Sequence, residues 1–442
     1  MKLSTLVIGF AWTTGSIFNP SSHAQNATGG INIADSLSFQ EVLNKVLTGY
    51  PSMMKAQEAI RSADAGIGLA KSAYYPDIHA DLGYTRLDPV PEITFGETKF
   101  PILPENNYNA VLGIWQTIYD FEKTARDVKL KKSDKEISEK NVELVRQRLT
   151  LITAISYFSL AYLQDALKIK DLQIETLKKH LDFVKKKEET GSSTQYEILS
   201  TQVRISTAEN QKVDMETSRQ TQLAILNALL GIPESTQLSV KNNLALIRPD
   251  VREDSLVTFA LDHRYEMAMV KLRKEHSELH LRSVKVMNNP VLSAFANGGV
   301  KNGYFPDLNQ PIANIAAGVG LVVPIFDATR RKYTIHLVNS EINMAKQDID
   351  QVTREVSSEV YQNQQSLLAS LKKIDLSTLQ VRQAEEALSL AAVSFKAGVI
   401  TNLDLLDAES NAEQSRINLL KARVDYAINV VRLDISLGLP IR

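Results

Sequence analysis

The sequence predicts a mostly helical chain that also carries four membrane strands, and three observations predict it. Two stretches of 68 residues, 121–188 and 328–395, contain neither proline nor glycine. Four segments of about ten residues each alternate apolar with polar side chains. The first half of the chain is written again in the second half at nearly one offset.

The repeat sets the organisation. Gly113 and Gly320 lie 207 residues apart, as do Asp120 and Asp327, Gly191 and Gly398, Leu230-Gly231 and Leu437-Gly438, and Pro233 and Pro440. Upstream the offset becomes 214, for Leu47 and Leu261, Met53 and Met267, Pro76 and Pro290. The seven-residue difference falls between Pro76 and Gly113, so the first copy has the longer loop there. One register held this far reads as a duplicated unit. It divides the chain into a first repeat at 25–232, a linker at 233–254 and a second repeat at 255–442.

Each repeat reads as helix, hairpin, long helix, shorter helix. The first helix, 38–74, opens on the capping box Ser38-Phe39-Gln40-Glu41 and stops before Pro76, because a residue preceding proline avoids the helical region. Its copy is 255–287. The long helices 121–188 and 328–395 end at Gly191 and Gly398, and shorter helices follow at 194–230 and 401–437. A 68-residue helix is roughly 100 Å long, too long for a globular core. It must lie antiparallel along two shorter helices stacked in line. Leu144, Ile152, Ile155, Ser159 and Leu163 suggest the narrow apolar stripe of a coiled-coil seam.

The strands fall between the first and second helix of each repeat, at 77–87, 108–119, 291–300 and 313–323. Ile78, Ala80, Leu82 and Tyr84 alternate with Asp77, His79, Asp81 and Gly83; Ala110, Leu112 and Ile114 alternate with Gly113, Trp115 and Thr117. Phe295 breaks the pattern of the third strand by falling on its polar side. Ten-residue alternating strands are the signature of an outer-membrane barrel. Tyr74, Tyr75, Tyr108, Trp115, Tyr119, Tyr304 and Phe326 cluster near the strand ends, where aromatic girdles sit. Four strands cannot close a barrel, and open edges in lipid leave backbone groups unsatisfied, so several chains must share one.

The remaining signals agree. Lys2, the apolar run Leu3 to Trp12 and Ser22-His23-Ala24 read as a secretory signal peptide at 1–24. Beyond it no run of 18 apolar residues exists, so membrane entry must use strands. Fifty basic against 51 acidic residues leave a net charge of -1, which gives no footprint for nucleic acid. The absence of cysteine excludes disulfides and thiolate chemistry. His276 and His280 have ligand-like spacing without a third partner, and read as an exposed helix face. Met267 and Met269 read as packing, and Gly66-Ile67-Gly68 lies within a helix rather than after a strand. No catalytic motif, cofactor motif or metal site is recognisable, so an enzyme is not expected.

Particular joints carry a family likeness. Pro76-Asp77-Ile78, Gln116-Thr117-Ile118-Tyr119-Asp120, Val323-Pro324-Ile325-Phe326-Asp327, and Phe395-Lys396-Ala397-Gly398 leading into Asn402-Leu403-Asp404-Leu405-Leu406-Asp407-Ala408 resemble the TolC family of outer-membrane efflux and secretion channels over nearly the whole mature chain. The resemblance implies a homotrimer, a twelve-stranded barrel and a long periplasmic α-helical barrel closed at its inner end. It implies a periplasmic adaptor and an inner-membrane pump or ABC transporter as partners, outer-membrane lipid around the strands, and a passive duct in the outer membrane. Small-molecule efflux in a tripartite pump is the expected function, with type I protein secretion as the alternative. A soluble periplasmic scaffold is a third class. The chain lacks the lipidated N-terminal cysteine of many members, and Arg442 closely follows the last helix.

By the same resemblance the inner constriction maps to Asp404 and Asp407, with Glu197 at the equivalent turn of the first repeat and Phe395 among the contacts that hold the closed state. Rings of acids in a pore favour cations. Thr401-x-x-Asp404 and Thr194-x-x-Glu197 are also capping boxes, which account for those two acids without a gate. Asp407 lies almost a turn further in and needs no capping role.

Overall fold

A computed structural model describes residues 36–242 and 255–439. The signal peptide at 1–24 and the linker part 243–254 lie outside the described residues. The first half runs α1 (Phe39–Gly49), α2 (Pro51–Ser72), β1 (Asp77–Arg86), β2 (Glu92–Phe95), β3 (Thr98–Pro101), β4 (Asn106–Tyr119), α3 (Lys123–Glu189) and α4 (Gln195–Leu230). The second runs α5 (Leu256–His263), α6 (Tyr265–Val286), β5 (Val291–Lys301), β6 (Ile312–Val322), α7 (Arg330–Lys396) and α8 (Asn402–Ser436).

Three expectations change. The helix expected at 38–74 is two helices, broken at Tyr50, whose extended backbone precedes Pro51 at the first position of α2. The helix expected at 255–287 breaks likewise at Arg264, φ -69° and ψ 137°, with no proline to mark it. The long helices start two residues later than expected, at Lys123 and Arg330. Phe121 and Glu122, and again Ala328 and Thr329, adopt positive φ and are not helical. The carboxylates of Asp120 and Asp327 reach across these pairs and accept the amides of Thr124 (2.7 Å) and Arg331 (3.0 Å). Each long helix is thus capped from three residues before its first helical position.

The four long strands form one antiparallel sheet in the order β1-β4-β5-β6. Its register places Ile78, Ile114, Ala296 and Ala317 in one row. That face carries Leu82, Leu112, Ile315, Val319 and Leu321, all exposed. The opposite face is polar, with Asp81 accepting from Asn109 at 2.5 Å. Phe295 belongs to this second face, and its ring stacks on Trp115 at 6.2 Å between centroids. Gly318 stands opposite, where a Cβ would lie 2.9 Å from the Phe295 ring. Trp115 therefore stands with Phe295 on the face opposite the apolar one. The extra loop of the first half contains the β2–β3 hairpin, turned at Gly96 with φ +63°.

The helices continue the sheet as a second layer. Near the strands the neighbours are α2–α3, α3–α6 and α6–α7; further away they are α4–α3, α3–α8 and α8–α7. Where α1, α2, α3 and α4 meet, Val42, Val46, Met53, Leu149, Leu160 and Leu226 form the largest core among the described residues. Tyr157 lies there with its hydroxyl 2.9 and 2.8 Å from the carbonyls of Leu37 and Lys241; burial pushes it up to about 12. Of the expected seam on α3, Leu163 is buried and Leu144, Ile155 and Ser159 are half-buried, but the buried stripe is wider. Val142, Leu149, Thr153, Ala154, Tyr157, Leu160 and Ala161 are buried, whereas Ile152 is 38% exposed. The stripe is wide because α3 packs against helices of both halves. No helix among the described residues is long and apolar enough to cross a membrane.

Candidate functional site at the paired helical turns

The two long helices end in the same way. Gly191 (φ +72°) and Gly398 (φ +75°) follow them, and the amides of Ser192 and Val399 return to the carbonyls of Lys187 and Ser394 at 2.8 and 2.9 Å. This closes the orphan carbonyls of each helix end. Thr194 and Thr401 then cap α4 and α8. The α3/α4 and α7/α8 turns lie side by side, tied by contacts between residues about 200 positions apart.

Phe395 is buried among His180 (5.3 Å between ring centroids), Phe183 (6.1 Å) and the Lys187 ammonium, 4.8 Å from its ring. His180 Nε2 lies 2.5 Å from Asn402 Oδ1, while Asn402 Nδ2 donates to Thr201 Oγ1 at 3.2 Å. Since the amide nitrogen is committed to Thr201, Oδ1 accepts, and the network assigns the His180 proton to Nε2. Burial holds the His180 imidazole below its usual range, against the pull of the Asn402 contact. Asp407 Oδ1 accepts from Arg204 Nη2 at 2.5 Å, joining α8 to α4; the side chains are 54% and 40% exposed.

Asp404 and Glu197 serve their own turns. The Asp404 carboxylate accepts from the Thr401 hydroxyl and amide at 2.6 and 2.9 Å, which lowers its pKa. Glu197 donates its amide to Thr194 Oγ1 at 3.3 Å and accepts from the Ser193 hydroxyl. Of the four residues singled out from sequence, Phe395 and Asp407 cross between halves through their side chains and Asp404 completes its capping box, whereas the box expected at Thr194 is half formed: the Glu197 carboxylate accepts from Ser193 instead of the Thr194 amide, and its carbonyl accepts from Asn402 of the other half at 3.4 Å. Arg204, His180 and Asn402 complete the contacts.

Above the turns lies a buried polar cluster that sequence reading did not find. Lys170 of α3 is 2% exposed and sits 2.7 Å from Glu413 of α8. Its ammonium also donates to Gln173 and Gln211, each at 2.9 Å. Removing one member of a buried pair costs about 3–5 kcal/mol, because the other is left charged and unpaired. One turn away, burial pushes the Glu409 carboxyl up to about 7. Among the described residues no group of three or more His, Cys, Asp or Glu is placed to hold a metal ion. His276 and His280 are not a free face: His276 Nε2 lies 2.7 Å from Asp134 on α3, and His280 Nδ1 3.4 Å from Glu341 on α7. Met267 and Met269 are buried.

The chain matches the family model described as outer membrane efflux protein over residues 42–232 and 256–439. It is 23% identical over 337 residues to the alkaline protease secretion protein AprF of Pseudomonas aeruginosa, covering 75% of this chain and 70% of that one. It is 21% identical to the outer membrane protein TolC of Vibrio cholerae, over 91% of this chain and 90% of that one. The fold matches the solved outer membrane protein VceC of Vibrio cholerae with TM-score 0.75 and 19% identity, over 90% of this chain and 96% of that one. Apolar strands, paired long helices and these likenesses converge: the chain belongs to the outer membrane efflux protein family, as a duct of the Gram-negative outer membrane for efflux or type I secretion.

Proposed function

We propose that three copies close a twelve-stranded barrel and a helical tube, and that the paired turns form a gate at its inner end. The observation that carries this reading is a match of open edges. The sheet is open at β1 and β6, and the helical layer is open at α2 and α4 on one side and at α7 on the other. Joining these edges between copies satisfies every strand. The duct is passive, with no catalytic step; a periplasmic adaptor and an inner-membrane pump supply direction and energy.

Within the gate the acids divide the work. Asp404 is tied only to its own cap, so three copies place a ring of negative charge at the entrance and draw cations. Asp407 is held by Arg204 and acts as a tether between the two turns. An exposed pair is worth about 0.2–1 kcal/mol, so three tethers bias the closed state by up to about 3 kcal/mol. Phe395, packed on His180, and Glu197, which fixes the neighbouring turn, hold the frame in which the tether works.

Planar-bilayer recording of the purified channel tests this. Asp404→Ala should reduce cation selectivity with little change in conductance. Asp407→Ala and Arg204→Ala should each raise conductance several-fold, and the double variant no further. Unchanged conductance in both tether variants would count against the gate.

Small-molecule efflux is the favoured use. Protein secretion is the second reading, supported by the likeness to AprF and to the proteases secretion protein PrtF of Dickeya chrysanthemi, 21% identical over 59% of this chain. Deleting the chain should sensitise cells to small toxic compounds under the first reading, and abolish a secreted polypeptide under the second.

A further inference from the structure

Sheet and helices meet at one level of the molecule. Gln116 of β4 donates to the carbonyl of Tyr74 at 3.3 Å, Asn289 before β5 to the carbonyl of Phe121 at 3.1 Å, and Asn288 to the carboxylate of Asp327 at 2.6 Å. All four junctions therefore lie side by side. Tyr75, Ile325 and Phe326, next to the strand ends in sequence, are 72%, 95% and 83% exposed there. This is the level at which acyl chains give way to headgroups on the periplasmic side, since the long helices extend away from it.

Charge at this level is lopsided. Most acids here have partners within the chain: Asp120 and Asp327 cap α3 and α7, Glu122 holds Arg126 at 2.7 Å, and the exposed Asp77 lies 3.4 Å from His79. Lys123 opens α3, and Arg330, Arg331 and Lys332 open α7; none of the four makes an ion pair among the described residues, and neither helix has an acid in its first turn. Cations at this end of a helix oppose its dipole, at about 0.3–1 kcal/mol each. The Asp120 and Asp327 carboxylates at the same helix starts offset part of that cost, and Lys332 lies 6.0 Å over the Tyr333 ring, but no acid among the described residues forms an ion pair with the four cations. The amides of these first turns already have Asp120 and Asp327, so the side-chain charges are what remains to be matched.

We propose that Arg330, Arg331 and Lys332, with Lys123, form a cationic collar that binds the headgroup phosphates of anionic phospholipids in the periplasmic leaflet of the outer membrane. Basic side chains near an anionic surface attract it strongly, and the interaction is screened by salt. The collar fixes the depth at which the strands sit. This rests on the outer-membrane placement and on neither the gate nor the cargo.

The test uses the full chain purified in mild detergent, exchanged with phosphatidylglycerol or phosphatidylethanolamine and weighed with its bound lipid by native mass spectrometry. The wild type should retain phosphatidylglycerol at least about five-fold more than phosphatidylethanolamine, and 0.5 M salt should erase the difference. The variant R330Q/R331Q/K332Q should lose the preference, whereas R330K/R331K should keep it. Unaltered oligomer mass and conductance in the triple variant show that it folds. Equal retention of the two lipids by the wild type, or an undiminished preference in a folded triple variant, overturns the proposal. Should the triple variant fail to fold, the wild-type comparison and its salt dependence decide alone.

Discussion

With its carboxyl held near 7, Glu409 is close to half protonated in neutral solution. Its folded value lies above the ordinary 4.5. The native state therefore binds more protons than the unfolded one between these values. Stability is fully present below about 4.5 and is lost as pH rises through about 7, by at most about 3 kcal/mol. His180 works in the opposite sense: its lowered value gives stability that is present above 6.5 and lost as pH falls through the folded value. Glu409→Gln should flatten the alkaline side of a plot of unfolding temperature against pH and leave the acid side as it was; an unchanged alkaline slope would refute the assignment. Sequence alone could single out Asp407, since no cap required it, but not Arg204, His180, Lys170 or Glu413. Their partners lie on helices brought together only by tertiary packing, and a charged residue on a long helix otherwise reads as a solvated face.

The elements were legible where a local rule applies and hidden where two rules compete. Glycine ends, threonine caps and the absence of breakers located the long helices within two residues. The Tyr50 break had its signal in Pro51, outweighed by the helical pattern running through it. The Arg264 break had no local signal, yet 264 minus 50 is 214, the offset already found in the first third of each half. What stabilises it is partly tertiary: the buried Arg264 guanidinium pairs with Glu359 of α7 (2.5 Å) as well as with Glu266 two residues on (2.9 Å). The left-handed pairs Phe121-Glu122 and Ala328-Thr329 were invisible for the reason that makes them costly, since non-glycine residues rarely go there. Thr329, β-branched at φ +65°, carries the greater share. Thr329→Asn keeps the conformation with less strain and should raise the unfolding free energy by about 1 kcal/mol, measured by thermal or denaturant melting of the purified channel. A loss of stability would show that the threonine makes a contact worth more than the strain.

For the molecule as a whole, the accessible surface is 28645 Å², against roughly 17,000 Å² for a compact monomer of this mass. The difference marks an extended chain with long open faces. The proposed closure by three copies would cover part of that surface. The chain's lack of cysteine makes that testable without background. A channel carrying Ile78→Cys on β1 and Leu321→Cys on β6, treated with a short thiol cross-linker, should yield a covalent trimer on denaturing gels. Monomer alone, or an open-ended ladder, would refute closure by three.

The 67-residue spans of α3 and α7, each without a break, have one more consequence. They behave as rulers. Every residue added to one shifts its far end by about 1.5 Å and swings it by about 100°, out of phase with its neighbours. A version of this duct built for a deeper envelope must therefore grow in near-whole turns, in steps of about seven or eleven residues, in both rods and in the helices stacked against them.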